Sequence, residues 1–439
     1  MNHASKAILS SAILVTIFAG PSAMAHGSWA HVQVTGWAME ALPAGELRDL
    51  LTGDPEVFNA ALFGAAFTDS GYAPIGKDEP AAHAYGEHTH WESFVQDFVD
   101  WIRANDPPPW TDLESRKRVA FLMGCAAHGM QDEIFDSLFL FQAKEHDAGG
   151  QHNADPAMDG FLKLDGLLEF VPTAYIPMDT VLELYAGLSH KVTADVIQQA
   201  VDLMIGAYIN DELGLLIAQS LGEQYEPEMP WTRLHYMDPE IPGSLASEIP
   251  ATAGYMEAIW DRLHGTFDPD SAVIHTYPDP DDRILGNDAE SPDSWVTLVY
   301  GAGAAVDSLT ATWVDTRKTA VDYTLKGTRW GAHWTRLHRL QPGTSLVSGE
   351  WYTVELAPGL EFIDGAVTTK VSGLRFQAAC GESGDLPCPD TAETNTQADP
   401  SGPWGPGCSI AAPGRSVETL WLVAGLFLIV AIRRRSATG

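Results

Sequence analysis

The residues best suited to chemistry in this 439-residue sequence are histidines and aspartates at ligand-like spacing. In Ala127-His128-Gly129-Met130-Gln131-Asp132-Glu133-Ile134-Phe135-Asp136, the residues His128, Asp132 and Asp136 recur every four positions. On a helix that spacing makes one stripe on one face. The flanking residues Val119, Phe121, Leu122, Phe135, Leu138 and Phe139 are apolar, so the stripe is expected to face the interior. Ionisable groups there are costly to desolvate unless they pair with one another or coordinate a metal. The competing reading is the solvated polar edge of an amphipathic helix.

Four further segments offer the same donor types: His31, Asp69, the His83 and His90 pair, and His152 with Asp155. Singly, each reads as an ordinary loop residue. Together they bring imidazoles and carboxylates from five segments into one stretch of chain. Imidazole with carboxylate and no sulfur suits zinc held with open positions, the catalytic style rather than the structural one. No CxxC pair offers a thiolate site, and Cys125, alone in an apolar helical stretch, reads as a buried small hydrophobe.

These residues need helices to position them. From His26 to Phe267 apolar residues fall at three- and four-residue spacing, in segments such as Glu92–Ala104, Glu114–Phe141, Met178–Leu188, Thr193–Ser220 and Thr252–His264. Residues 268–293 are rich in Asp and Pro and read as a linker. Over 294–380 the pattern changes to short β-branched and aromatic runs between Gly and Pro turns: Ser294–Tyr300, Ser308–Val314, Ala320–Leu325, Trp351–Leu356 and Leu374–Ala378. The fold class expected is a mostly α catalytic domain followed by a small β-sandwich, and the stretch from Leu340 to Leu356 resembles bacterial immunoglobulin-like surface modules. Trp330, His333 and Trp334 read as aromatic cross-strand neighbours, and the module as a spacer or surface-interaction unit. Residues 381–415 read as a flexible tether.

The ends carry processing signals. Residues 1–25 read as a signal peptide, with Ala23 and Ala25 matching a cleavage pattern that would leave His26 at the mature terminus. In 416–439, the apolar run Leu420–Ile432 precedes Arg433-Arg434-Arg435. As a helix it would reach only about 20 Å against roughly 30 Å of hydrocarbon. It resembles bacterial sorting tails with Cys408 as the matching cysteine, or else is a plain short anchor. Export would permit a bond between Cys380 and Cys388. The formal charge of −34, from 59 acidic and 25 basic residues, argues against a nucleic-acid surface. The expected product is an exported monomer at the cell surface or outside the cell, facing phospholipid.

Residues 26–267 resemble the zinc-dependent phospholipase C superfamily, most closely the catalytic domain of its glycosylphosphatidylinositol-specific phospholipase D branch. The resemblance rests on Trp29-Ala30-His31-Val32-Gln33-Val34, Phe67-Thr68-Asp69, His83…Thr89-His90-Trp91, Trp101-Ile102-Arg103-Ala104-Asn105, Val119 to Gly124, and His128-Gly129-Met130-Gln131-Asp132. It implies three metals. Asp69, His90, His128 and Asp132 would hold one. The freed terminus of His26, with His31 and a bridging Asp132, would hold another, as in related single-strand nucleases. The third would take Asp136, His152 and Asp155. There the sequence departs from the pattern, with Asp136 where His is usual and Pro156 where an acid is expected. That metal is expected to be weaker, replaced by a harder ion, or absent, with Glu145 and His146 as spare ligands.

The implied reaction is phosphodiester hydrolysis by in-line attack of water activated at the metals, with Asp69 as ligand and candidate general base. Phospholipase C and D outcomes stay open. Two alternatives stand beside it: a non-catalytic metal-binding surface module, and a zinc-dependent single-strand nuclease.

Overall fold

Capping chemistry sets the starts of the helices that matter most. Asp54 accepts from the Glu56 backbone N–H with Pro55 at the first helical position, and Asp112 and Ser244 cap in the same way through Ser115 and Ser247. The computed structural model describes residues 27–73, 79–147, 151–206, 213–326 and 333–379, all within one packed unit, Met1–Cys388. Its helices are α1 Ser28–Ala41, α2 Glu46–Thr52, α3 Pro55–Phe67, α4 Pro80–Thr89, α5 Glu92–Asn105, α6 Leu113–Ser137, α7 Phe139–His146 and α8 Gln151–Asp165. They continue with α9 Met178–Leu184, α10 Ala194–Met204, α11 Leu213–Tyr225, α12 Pro230–His235 and α13 Leu245–His264. A single 3₁₀ turn, Thr68–Tyr72, extends α3 and carries Asp69.

The central contact is α3 against α6, and it is unusually close. A Cβ on Gly124 would lie 1.9 Å from the Ala61 carbonyl, and one on Gly64 would lie 2.3 Å from the Phe121 carbonyl. Only glycine lets the two backbones approach this far. The approach brings the end of α3 beside His128.

The strands are β1 Val273–Tyr277, β2 Val296–Ala305, β3 Ala311–Asp315, β4 Tyr323–Lys326, β5 Trp334–Pro342, β6 Trp351–Leu356 and β7 Ser372–Gln377. They form two antiparallel sheets, ordered β1-β2-β5-β4 and β3-β6-β7. The sheets share an apolar core that includes Leu298, Tyr300, Leu340, Trp313, Val354 and Phe376. Val299 and Leu337 belong instead to the helical core. Alternate residues of β2 therefore face opposite ways, one set toward the second sheet and the other toward the helices. That explains why every residue of this strand is buried.

Three expectations change. The segment Glu114–Phe141 is two helices, because Leu138 leaves helical geometry at φ −124°, ψ −72°. Helix α13 starts at Leu245, ahead of Thr252, since Ser244 supplies the cap and Pro250 does not stop it. The stretch 268–293, read as linker, contains β1, whose Tyr277 joins the helical core. Its Asp and Pro density marks the turns around the strand and hides the strand itself. Cys125 is a buried free thiol, as expected. The tail run Leu420–Ile432, the Cys380–Cys388 pair, Trp330 and residues 1–26 lie outside the described residues. Among the described residues no helix is long and apolar enough to cross a membrane.

Candidate metal centre

Four donor atoms from three regions of the chain converge. His128 Nε2 lies 3.2 Å from His90 Nε2, 3.6 Å from Asp69 Oδ1 and 3.3 Å from Asp132 Oδ2. His90 Nε2 lies 3.6 Å from Asp69 Oδ1 and 3.5 Å from Asp132 Oδ2. A tetrahedral zinc with ligands at about 2.0–2.1 Å has ligand-to-ligand edges of about 3.3–3.4 Å. The five spacings above, 3.2–3.6 Å, lie near that edge, and each of them involves His128 or His90.

The tautomers are fixed by backbone acceptors. His128 Nδ1 donates to the Ala65 carbonyl at 2.6 Å, and His90 Nδ1 donates to the Gly86 carbonyl at 2.7 Å. A carbonyl can only accept, so each ring carries a proton on Nδ1 and, when neutral, turns a lone pair inward from Nε2. With both rings neutral, two imidazole lone pairs face the carboxylate oxygens of Asp69 and Asp132, a donor set suited to a cation. The residues present fit zinc.

His31 extends the cluster. Its Nδ1 bonds Gln131 Oε1 at 2.8 Å, its ring stacks on His128 with centroids 3.6 Å apart, and its Nε2 stands 3.1 Å from Asp132 Oδ1. Asp132 thus turns one oxygen to His31 and the other to His90 and His128, the posture of a bridging carboxylate. His31, Asp69 and His128 are at most 3% exposed, whereas His90 and Asp132 are 14% and 15% exposed. Solvent therefore reaches the cluster past His90 and Asp132.

Electrostatics follow from this crowding. Burial works to raise the Asp69 carboxyl, but His128, His90 and His31 hold it below the usual range. Burial would lower His90, yet its bond to Asp69 and the charges of Asp132 and Asp69 raise it to about 8. Burial and neighbouring His31 push His128 down.

The chain is a distant relative of a phospholipase D. Over 129 residues it is 32% identical to phosphatidylinositol-glycan-specific phospholipase D of Bos taurus, covering 28% of this chain and 15% of that protein. The Homo sapiens enzyme of the same name is 31% identical over 144 residues, 32% of this chain and 14% of that protein. The Rattus norvegicus enzyme is 28% identical over 162 residues, 36% and 17% respectively. The chain thus spans about a sixth of these relatives' length. No family model matches. Among solved structures, CopC from Methylosinus trichosporium OB3b matches at TM-score 0.20 and 19% identity, over 25% of this chain and 94% of CopC. The S-layer protein rSbsC(31-844) matches at TM-score 0.19 and 11% identity, over 73% and 45%. Neither is close enough to carry an argument.

The structure brings His31, Asp69, His90, His128 and Asp132 together. Among the described residues, the groups close enough to share a metal are His31 with Asp69 and His128, and His90 with His128 and Asp132. Asp136 and Asp155 are buried but belong to neither group. His26 and the side chain of His152 lie outside the described residues. Glu145 and His146 are exposed on α7, and His83 is exposed with its ring against Tyr72 rather than in the cluster. One acid escaped the sequence reading. Asp159 is buried on α8 and accepts from the Ala30 and Trp29 backbone N–H groups at 2.9 and 3.4 Å, capping α1 just before His31. Its place four residues after Asp155 was the available signal, one face of one helix.

Proposed function

We propose that this protein is an exported, zinc-dependent phosphodiester hydrolase acting on phospholipids. The observation that carries the reading is that His90 and His128 lie 3.2 Å apart and each stands 3.3–3.6 Å from a carboxylate oxygen of Asp69 and of Asp132, near a tetrahedral edge, with both Nδ1 atoms held by backbone carbonyls. His31 and Asp132 would share a second zinc, with the terminus freed before His26 as a further donor. A third would take Asp136, His152 and Asp155. Zinc bound there would lower the pKa of water toward neutrality and neutralise charge on the phosphoryl oxygens.

The chain's own residues prepare that chemistry. Asp69 is kept ionised, and its Oδ2 accepts from the Ser28 hydroxyl at 3.1 Å. With one oxygen toward the imidazoles and the other tied to Ser28, it suits ligation better than proton abstraction. His90 and Asp132 lie on the solvent side, where a phosphodiester would approach. The distant relationship to a phospholipase D favours a phospholipid over other diesters. Attachment through the tail at 416–439 belongs to the same proposal.

The test is zinc content of the mature protein, followed by hydrolysis of phosphatidylcholine, phosphatidylinositol and single-stranded DNA. Diacylglycerol would mark C-type cleavage and phosphatidate D-type. Bound zinc without turnover of any lipid would sink the hydrolase reading, and DNA cleavage alone would move it to the nuclease. Extra residues ahead of His26 should weaken zinc binding at the second site; unchanged stoichiometry would remove the terminus from the ligand set.

A further inference from the structure

The β half of the molecule reaches into the metal centre through one side chain. Arg336 on β5 is fully buried. Its Nη1 and Nη2 both donate to the His90 carbonyl at 3.1 Å. Its backbone N–H and Nη1 donate to the two oxygens of Glu133 at 2.7 and 3.3 Å. Nε donates to Glu92 at 3.0 Å and meets the Tyr255 hydroxyl at 3.1 Å. Arg262 closes the far side of Glu92 at 2.8 Å.

Two of these anchors, the His90 carbonyl and Glu133, belong to or adjoin a candidate ligand. His90 caps the C-terminus of α4, where backbone carbonyls lack partners within the helix. Glu133 follows Asp132 directly on α6. The surface of α6 is notched to admit the fork: a Cβ on Gly129 would lie 2.5 Å from the His90 carbonyl and 2.9 Å from Arg336 Nη2. That glycine follows His128. Neutralising Glu92 alone would not need both terminal nitrogens on the main chain of a ligand residue.

We propose that Arg336 is a positioning residue for the metal centre, whose guanidinium fixes the His90 carbonyl and the Glu133 carboxyl and so holds His90 and Asp132 at ligand spacing. This rests on the zinc reading above. The ring of His90 is then fixed at Gly86 and its main chain at Arg336. The sheet that carries β5 becomes part of the scaffold of the site. Lysine cannot replace the fork, because one ammonium cannot span a carbonyl, Glu92 and Glu133 from the same position.

The experiment compares full-length mature protein with Arg336→Lys by zinc competition titration and by the visible spectrum of the cobalt-substituted form. Losing an outer-shell partner costs about 10–100-fold in metal affinity, so that loss and a changed cobalt spectrum are expected. The control is Arg339→Lys on the same strand, where Arg339 donates to the Ser137 carbonyl at 2.7 Å, beyond the ligands. It should keep both readouts even where stability falls. Wild-type zinc affinity in folded Arg336→Lys overturns the proposal, as does an equal loss in the control. If Arg336→Lys does not fold, Gly129→Ala takes its place: weakened zinc binding is expected, and unchanged affinity overturns the proposal. A wild-type protein that binds neither zinc nor cobalt would instead sink the metal reading itself.

Discussion

His128 is the residue at which the cluster turns on a single side chain. It is fully buried, touches His31, and brings its Nε2 within 3.6 Å of His90, Asp69 and Asp132. His128→Ala removes one donor and opens space under His31. Zinc affinity should fall by more than the ~10–100-fold cost of an outer-shell loss, and lipid turnover should fall with it. Zinc titration beside a turnover assay checks this; zinc binding at wild-type strength would exclude His128 as a ligand. His90 supplies a pH signature. Its pKa of about 8 lies above the ordinary 6.5, so in the metal-free protein its proton contributes stability below pH 6.5. That contribution is lost as pH rises through about 8. Zinc requires the neutral ring, so affinity should run the opposite way, climbing through the same window and levelling above it. Unfolding and zinc titrations at matched pH values read the two slopes, and a flat zinc profile would take His90 out of the set.

At the scale of elements, the pairing of α3 with α6 sets the distance between Asp69 and His128. The glycines at the crossing are where that distance is most easily changed. Gly124→Ala would place a methyl group 1.9 Å from the Ala61 carbonyl, so the helices must part. Overpacking of this kind costs about 1–3 kcal/mol, and the same movement draws the Ala65 carbonyl away from His128 Nδ1. Chemical denaturation should show the stability loss and zinc titration a weaker site. Unchanged values for both would mean that the crossing does not set the geometry. The same contact could not be foreseen residue by residue. A glycine inside a helix shows nothing of its partner, and only the facing backbone explains the missing side chains at Gly64 and Gly124.

For the molecule as a whole, the helical part and the β part share their interior. Tyr277, Val299 and Leu337 sit in the helical core, and Arg336 is enclosed by Glu92, Glu133 and Tyr255. A fragment ending at Phe267 would expose those apolar contacts and leave Glu92 beside Arg262 without its second arginine. Buried carboxylates stripped of a partner typically cost 3–5 kcal/mol. Such a fragment should be aggregated or loosely packed and should bind zinc poorly, as read by near-ultraviolet circular dichroism and metal analysis. A well-packed fragment with full zinc affinity would separate the two halves.

Much of the site was legible in the sequence because its signal is local. The four-residue spacing of His128 and Asp132, and the apolar face around them, follow from helix periodicity alone. So did the run of helices and the later change to strands. Asp136 carried the same periodic signal; among the described residues it joins neither donor group, and the side chain of its expected partner His152 lies outside them. The joining of Asp69 to that stripe depends on the helix crossing set by Gly64 and Gly124, contacts separated by some sixty residues, while His31 and His90 arrive on α1 and at the end of α4. The strand Val273–Tyr277 was masked by turn residues on either side, because pairing with β2, rather than composition, makes it a strand. Arg336 gave no signal at all: its strand, β5, was not among the expected runs, and only the packing of that strand against the helices reveals the side chain as buried. Periodicity along the chain chose the donor types and their helix; the burial of distant backbones against one another decided which of them meet.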